Sequence, residues 1–329
     1  MTLQSDRAGR ADQTGHAGQR GQRGQYEPVT QHAPARRVDR IAALVRDTDP
    51  GAGWAVGGAD GPDAVVEAGP GDRERAGTES LSGAGALGGV GSAVPVGAGV
   101  RAETGVGAGA EAGVGAAAGG GALGGVGIPA LAGDPDTAPD VGGLAGVLAV
   151  WPVIGMLVDA GELALHTPLT AYGAGDGLPA GTTAHHLLTH GSGVSPALTG
   201  LAERLCGSPL AGFAAERIWA PLGMTRTGFT ADGTLRAPVA DLARFLSHLL
   251  APAGGGPVSP AWTAQSLRIR TGELLPARGL LWHPAAHGSW SHGEGPALWI
   301  SPRGRRWAAL LPTTPSAPLR TAFREAAFA

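Results

Sequence analysis

The chain reads as an α+β fold: an antiparallel sheet built from strands at both ends of the sequence, flanked by helices, with further helices gathered in between as a lobe. Three observations predict it. Strand-like stretches occupy 53–56 and 64–67, and strand pattern returns only beyond residue 280. Apolar residues at helical spacing fill much of the stretch from Val147 to Leu250. Between them the composition breaks: of the 52 residues 82–133, 19 are Gly and 14 are Ala.

The elements follow in order. Residues 1–36 are polar, rich in Gly, Gln and Arg, and lack apolar periodicity, so they are expected to form a disordered tail. Val38, Ile41, Leu44 and Val45 mark a short amphipathic helix. The strands 53–56 and 64–67 are joined by the turn-prone Ala59-Asp60-Gly61-Pro62. The domain over 37–329 is interrupted by a low-complexity insert at 76–134, in which the heptapeptide GALGGVG occurs at 85–91 and again at 121–127. That period matches no packed repeat architecture, and so much glycine is entropically costly to order. The insert is therefore read as an expanded loop with little packing on the core rather than as a binding module.

Helical pattern resumes with Val147, Trp151, Ile154 and Leu157/Val158 up to Gly161, and Pro152 marks either a kink or a late start. Cys206-Gly207-Ser208-Pro209 reads as one helix ending at a left-handed glycine and another opening with a Ser cap and Pro at N1. The second carries Leu210, Phe213, Ala214 and Ile218 on one face and stops at Pro221. A helix from Val239 to Leu250 follows. Strands are expected at 280–282, 289–292, 297–301 and 307–311, with Pro302-Arg303-Gly304 as a hairpin turn, and a closing helix at 315–328.

Composition narrows the function. With net charge −3 and 16% charged residues, no electrostatic case exists for nucleic acid. All 24 basic residues are arginine, and the chain contains neither lysine nor asparagine, so no side-chain amine is available as a base. Cys206 is the single cysteine, which rules out an internal disulfide framework. Residues 1–31 contain no apolar signal core and no segment reads as a membrane span, so the expected location is cytoplasmic.

Four segments together carry a resemblance. They are Met156-Leu157-Val158-Asp159-Ala160-Gly161-Glu162-Leu163-Ala164-Leu165, Leu187-Leu188-Thr189-His190-Gly191-Ser192-Gly193, Pro221-Leu222-Gly223-Met224-Thr225-Arg226-Thr227 and Asp241-Leu242-Ala243-Arg244-Phe245. In this order and spacing the chain resembles the β-lactamase-related serine hydrolases: class C β-lactamases, D-alanyl-D-alanine peptidases and related esterases. The resemblance covers roughly residues 37–75 and 135–329 and implies a β-lactamase/penicillin-binding-protein-like fold. It further implies acyl hydrolysis through a Ser-x-x-Lys pair at the start of the long helix, a Tyr-x-Asn element and a Lys/His-Thr-Gly strand. No cofactor or metal is implied, and the implied ligand is a small acyl or peptide-like compound.

The departures decide what chemistry is expected. Asp140-Val141-Gly142-Gly143-Leu144-Ala145-Gly146 stands where the nucleophile segment belongs, so Gly143 occupies the serine position and Gly146 the lysine position. Hydrogen serves as neither nucleophile nor base. Only 194–197 separate the His190 segment from a helix expected near Leu198, leaving no room for Tyr-x-Asn, and the two tyrosines, Tyr26 and Tyr172, lie upstream. A second shortening follows Phe229. Ser291-His292-Gly293-Glu294-Gly295 keeps the third element in outline, with Glu294 in place of a glycine.

The expected pocket remnant is therefore Gly143, Ser291, His292, Gly293 and Glu294, with no catalytic residue. His186 and His190 share a helical face as zinc ligands do, yet the sequence fixes no third ligand and no metal is expected. Ser192 lacks the spacing of a nucleophile elbow, Cys206 lies at the wrong helix end for activation, and Trp151 reads as core. The resulting reading is a catalytically inactive relative that retains ligand binding. Its alternatives are an esterase or amidase with a non-standard nucleophile, or a non-catalytic scaffold.

Overall fold

A computed structural model describes residues 33–68, 138–190, 195–251, 256–272 and 275–329. The 76–134 insert, Tyr26 and Ser192 lie outside them. Helix α1 (Ala33–Thr48) opens the fold. It starts inside the stretch assigned to the tail, at Ala33 rather than at residue 37. Strands β1 (Gly53–Gly58) and β2 (Gly61–Val66) form the expected hairpin about Ala59-Asp60.

The helical lobe comprises α2 (Trp151–Asp159), α3 (Ala184–His190), α4 (Pro196–Cys206), α5 (Leu210–Ala214), α6 (Val239–Leu250) and α7 (Pro260–Ser266). A two-residue hairpin, β3 (Gly228–Phe229) and β4 (Leu235–Arg236), sits before α6. The chain then returns to the sheet with β5 (His283–Pro284), β6 (Trp290–His292), β7 (Ala297–Ser301) and β8 (Arg306–Leu311), and closes with α8 (Ala317–Phe328).

The main sheet has strand order β2-β1-β8-β7-β6-β5 and is antiparallel throughout, so strands from both ends of the sequence meet at the β1–β8 pair. Its alternation divides the core cleanly. Trp54, Val56, Trp299, Ala308 and Leu310 face α1 and α8, where they meet Ile41, Val45, Leu319 and Phe323. Ala55, Leu298, Ile300, Trp307 and Ala309 face the lobe. Each fully buried apolar side chain of this size contributes about 1.5–3 kcal/mol.

The helix at the centre of the lobe is apolar on every side from Val147 to Ile154, as a fully enclosed helix must be. It does not start late at Pro152. A 3₁₀ turn at Gly142–Leu144 and a π turn at Gly146–Val150 lead into α2 without a break. Pro152 has no N–H to offer the carbonyl four residues back, and the Trp219 indole donates to that Leu148 oxygen instead, at 3.0 Å. Trp262 likewise donates to the Trp151 carbonyl at 3.1 Å. It comes so close that a Cβ on Gly155 would lie 2.4 Å from its ring, so a glycine is required there.

Other expectations need correction. The helix placed near Leu198 begins at Pro196, with Ser195 as its cap residue. Gly207 ends it in the left-handed conformation as expected, φ 67°. Ser208 does not cap the next helix: Pro209 holds that place, and the Glu203 carboxylate accepts the Leu210 N–H at 2.9 Å. No strand forms at 280–282, because Leu281 adopts φ 64° and turns the chain, delaying β5 to His283. The closing helix begins at Ala317 rather than at Pro315, with Ser316 as its cap accepting the Leu319 N–H. Helix α7, capped by Ser259, was not anticipated.

Candidate functional site

The segment resembling the nucleophile turn is tied down before it reaches Gly143. Asp140 bridges to Arg236 of β4, Val141 N–H donates to the Leu235 carbonyl at 2.8 Å, and Arg236 donates to the Ala138 carbonyl at 3.0 Å. Asp140 then accepts the Gly142 amide at 2.7 Å and so satisfies one of the free donors at the helix start. The residues after Phe229, which sequence reasoning treats only as a deletion, thus form the short hairpin that fixes this turn.

Gly143 is exposed. A Cβ built on it meets nothing within 4 Å, and its φ is not positive. It borders a shallow groove of about 320 Å³, together with Asp140, Gly295, Pro296, Thr313 and Pro315. Gly146 is different: it is buried, the first residue of the π turn, with the core closed around it.

The third element meets the first at His292. Strand register pairs His292 with Leu298, so its ring points toward the lobe, where Gly143 lies. The ring is 5% exposed. Its Nδ1 lies 2.6 Å from the Leu281 carbonyl, and its edge meets the Trp282 ring. Burial pushes its pKa below the ordinary histidine range, opposed by hydrogen bonding to the backbone of Leu281 and Gly143. Gly293 packs so tightly, with φ 89°, that a Cβ would lie 2.1 Å from the Pro296 carbonyl oxygen and 2.7 Å from Leu144. A threonine in its place would not fit this turn.

Ser291 goes elsewhere. It pairs with His283 and Trp299, so its side chain lies on the opposite face, toward α8. Glu294 is exposed and acts on Arg320 rather than on Gly143. Of the five residues expected to form a pocket remnant, the fold brings together Gly143, His292 and Gly293, and His292 is sealed beneath the groove rather than lining it.

His283 was missed by sequence reasoning. It pairs with Ser291, so it lies on the sheet face toward α8, where burial and Arg278 lower its pKa. The signal was its place two residues beyond Leu281, which reads as strand interior only once the left-handed turn is known.

Tyr172 does not substitute for the missing tyrosine, since its hydroxyl accepts the Ala164 N–H at 2.8 Å. His166, His185, His186 and His190 form a surface row with successive ring centroids 4.5, 6.4 and 6.2 Å apart. Among the described residues no group of three or more His, Cys, Asp or Glu is arranged to hold a metal ion. Burial raises the Cys206 thiol above its ordinary pKa, which makes it a poor nucleophile. Trp151 is enclosed by Phe245, Trp262 and Trp282 and is core.

No family model and no curated protein matches the sequence. Solved structures do match the fold. A β-lactamase from Mycobacterium bovis superposes with TM-score 0.53 at 17% identity, over 87% of this chain and 99% of that one. A candidate β-lactamase from Bacteroides dorei gives TM-score 0.53 at 15% identity, over 90% and 98%. At these identities the likeness is one of fold. The chain carries the β-lactamase/penicillin-binding-protein-like fold, an antiparallel sheet flanked by helices with a helical lobe. No helix among the described residues is long and apolar enough to cross a membrane.

The buried histidines make stability depend on pH in a definite direction. Burial lowers the pKa of His292, His248, His283 and His185 in the folded state. The unfolded chain binds more protons than the folded one below the ordinary histidine pKa of about 6.5. Stability is therefore whole above that value and is lost as pH falls toward the folded pKa values. Thermal midpoints are expected to drop between about pH 7 and about pH 5, with a shallower slope in a His292→Gln/His248→Gln variant. Equal slopes for the two proteins would show that these rings do not set the dependence.

Proposed function

We propose that the chain is a divergent member of the β-lactamase-related serine hydrolases that has lost acyl-transfer chemistry and keeps a groove for a small acyl or peptide-like ligand. The observation that carries this reading is Gly143: it stands at an open helix start, beside a groove, with no side chain to attack a carbonyl. Gly146 offers no base, His292 is turned into backbone contacts, and Tyr172 is committed to Ala164. What remains is recognition, through the Gly143 backbone N–H and the walls formed by Gly295, Pro296, Thr313 and Pro315.

Two measurements on one preparation test the reading. Incubation with penicillin or a fluorophosphonate is expected to leave the intact mass unchanged, and a stoichiometric adduct would refute the loss of chemistry. N-acetyl-D-alanyl-D-alanine is expected to bind saturably, and Gly143→Phe, whose ring would project into the open groove, is expected to abolish binding. Failure of the unsubstituted protein to bind would remove the ligand-binding half of the proposal and favour a scaffold.

A further inference from the structure

A second cavity lies at the opposite end of β6 from the groove beside Gly143, and the two share no residue. It measures about 600 Å³, within the range of sites that take small organic ligands. It is lined by the end of α6, by α7 and by residues of β5 and β6. Leu250 and Leu267 form apolar walls and Trp290 the floor. His248 lines it as well, with its Nε2 held at Val258, and burial keeps that ring toward its neutral form.

Charge distinguishes this cavity from a packing defect. Arg268, just beyond α7, and Arg303, in the β7–β8 turn, reach it from separate elements, and no acidic residue among the described ones lines it. Both arginines are exposed, and neither forms an ion pair with a described residue. Two guanidinium groups at the rim of an apolar hollow suit a ligand that is itself apolar with one anionic end. Guanidinium recognises a carboxylate through paired N–H donors.

We propose that this cavity binds a medium-chain carboxylate, its acyl chain laid along Leu250, Leu267 and Trp290 and its carboxylate held between Arg268 and Arg303. A chain of roughly ten carbons fits a hollow of this size and leaves the carboxylate at the rim. The site is independent of the groove beside Gly143 and of the reading attached to it.

The test is calorimetric titration of the full chain with decanoate below its micelle concentration. Saturable binding at one site is expected, weakened about tenfold or more in an Arg268→Gln/Arg303→Gln variant. Both arginines are exposed, so this variant is expected to fold, which its melting curve checks. Ala264→Trp, which fills the hollow without touching the charges, is expected to abolish binding, and Gly143→Phe to leave it unchanged. The proposal is overturned if decanoate does not bind, if the arginine variant binds as well as the parent, if 1-decanol binds as tightly as decanoate, or if Gly143→Phe removes binding.

Discussion

A Gly143→Ser/Gly146→Lys variant is expected to hydrolyse esters and β-lactams no faster than Gly146→Lys alone, and to unfold at a clearly lower temperature than the unsubstituted protein. The two positions fail for different reasons. At 143 a serine meets no steric obstacle: the site is open, the backbone φ is not positive, and the backbone N–H of residue 143 itself stays available to a developing oxyanion. Loss of a nucleophile alone costs on the order of a million-fold in rate, so a restored hydroxyl removes the largest single deficit in principle.

Position 146 is the obstacle. It is enclosed in the core at the start of the π turn, and an ammonium placed there must either lose its charge or force the packing open. Burying an unpaired polar group costs roughly 2–7 kcal/mol, a large share of the stability of a domain this size. Even a folded variant would lack a second proton carrier, with Tyr172 tied to Ala164 and His292 to Leu281. Misplacement of about 1 Å is enough to remove most of the advantage of a catalytic group. The assay compares ester turnover by the double variant with the single Gly146→Lys control. Turnover roughly a hundredfold above that control would mean that the surrounding apparatus is intact and that two side chains alone separate the chain from an enzyme.

What the sequence made legible follows the reach of each interaction. The β7–β8 hairpin and helix α6 could be read because their signals are local: alternating apolar residues around Pro302-Arg303-Gly304, and Leu242, Phe245, Leu246 and Leu249 at helical spacing. Gly143 and Gly146 were assigned by their place in a motif, which is likewise a local signal. Features that depend on distant partners could not be read. The π turn before Pro152 rests on an indole 71 residues away, and the start of α5 on the Glu203 carboxylate. Helix α7 has seven residues, too few for a 3.6-residue period to show. His292 reads as a strand-end histidine, and only the carbonyl of Leu281, carried by a left-handed residue on another segment, reveals that its ring is used up.

Replacing Trp151 by alanine is expected to cost about 3–5 kcal/mol of stability, the range for truncating a fully buried aromatic ring. The ring is 0% exposed and is boxed by Phe245, Trp262 and Trp282 at centroid distances of 6.5, 5.8 and 6.1 Å. These neighbours come from α6, α7 and the segment before β5, so the cavity left behind would lie where three elements of the lobe meet. Their own anchors resist collapse: Trp262 is held at the Trp151 carbonyl by its indole N–H and pressed against Gly155. The substitution also strands a polar atom. The Trp151 indole donates to the Ser266 hydroxyl at 2.9 Å, and Ser266 is 0% exposed, so its oxygen would lose that donor inside the core. Trp151→Phe separates the two contributions, keeping most of the ring volume while removing the hydrogen bond, and is expected to cost roughly 1–3 kcal/mol. Urea titration of the three proteins supplies the measurement. A Trp151→Ala midpoint within error of the parent would mean that the ring is not part of a packed core and that it serves the groove or some other surface instead.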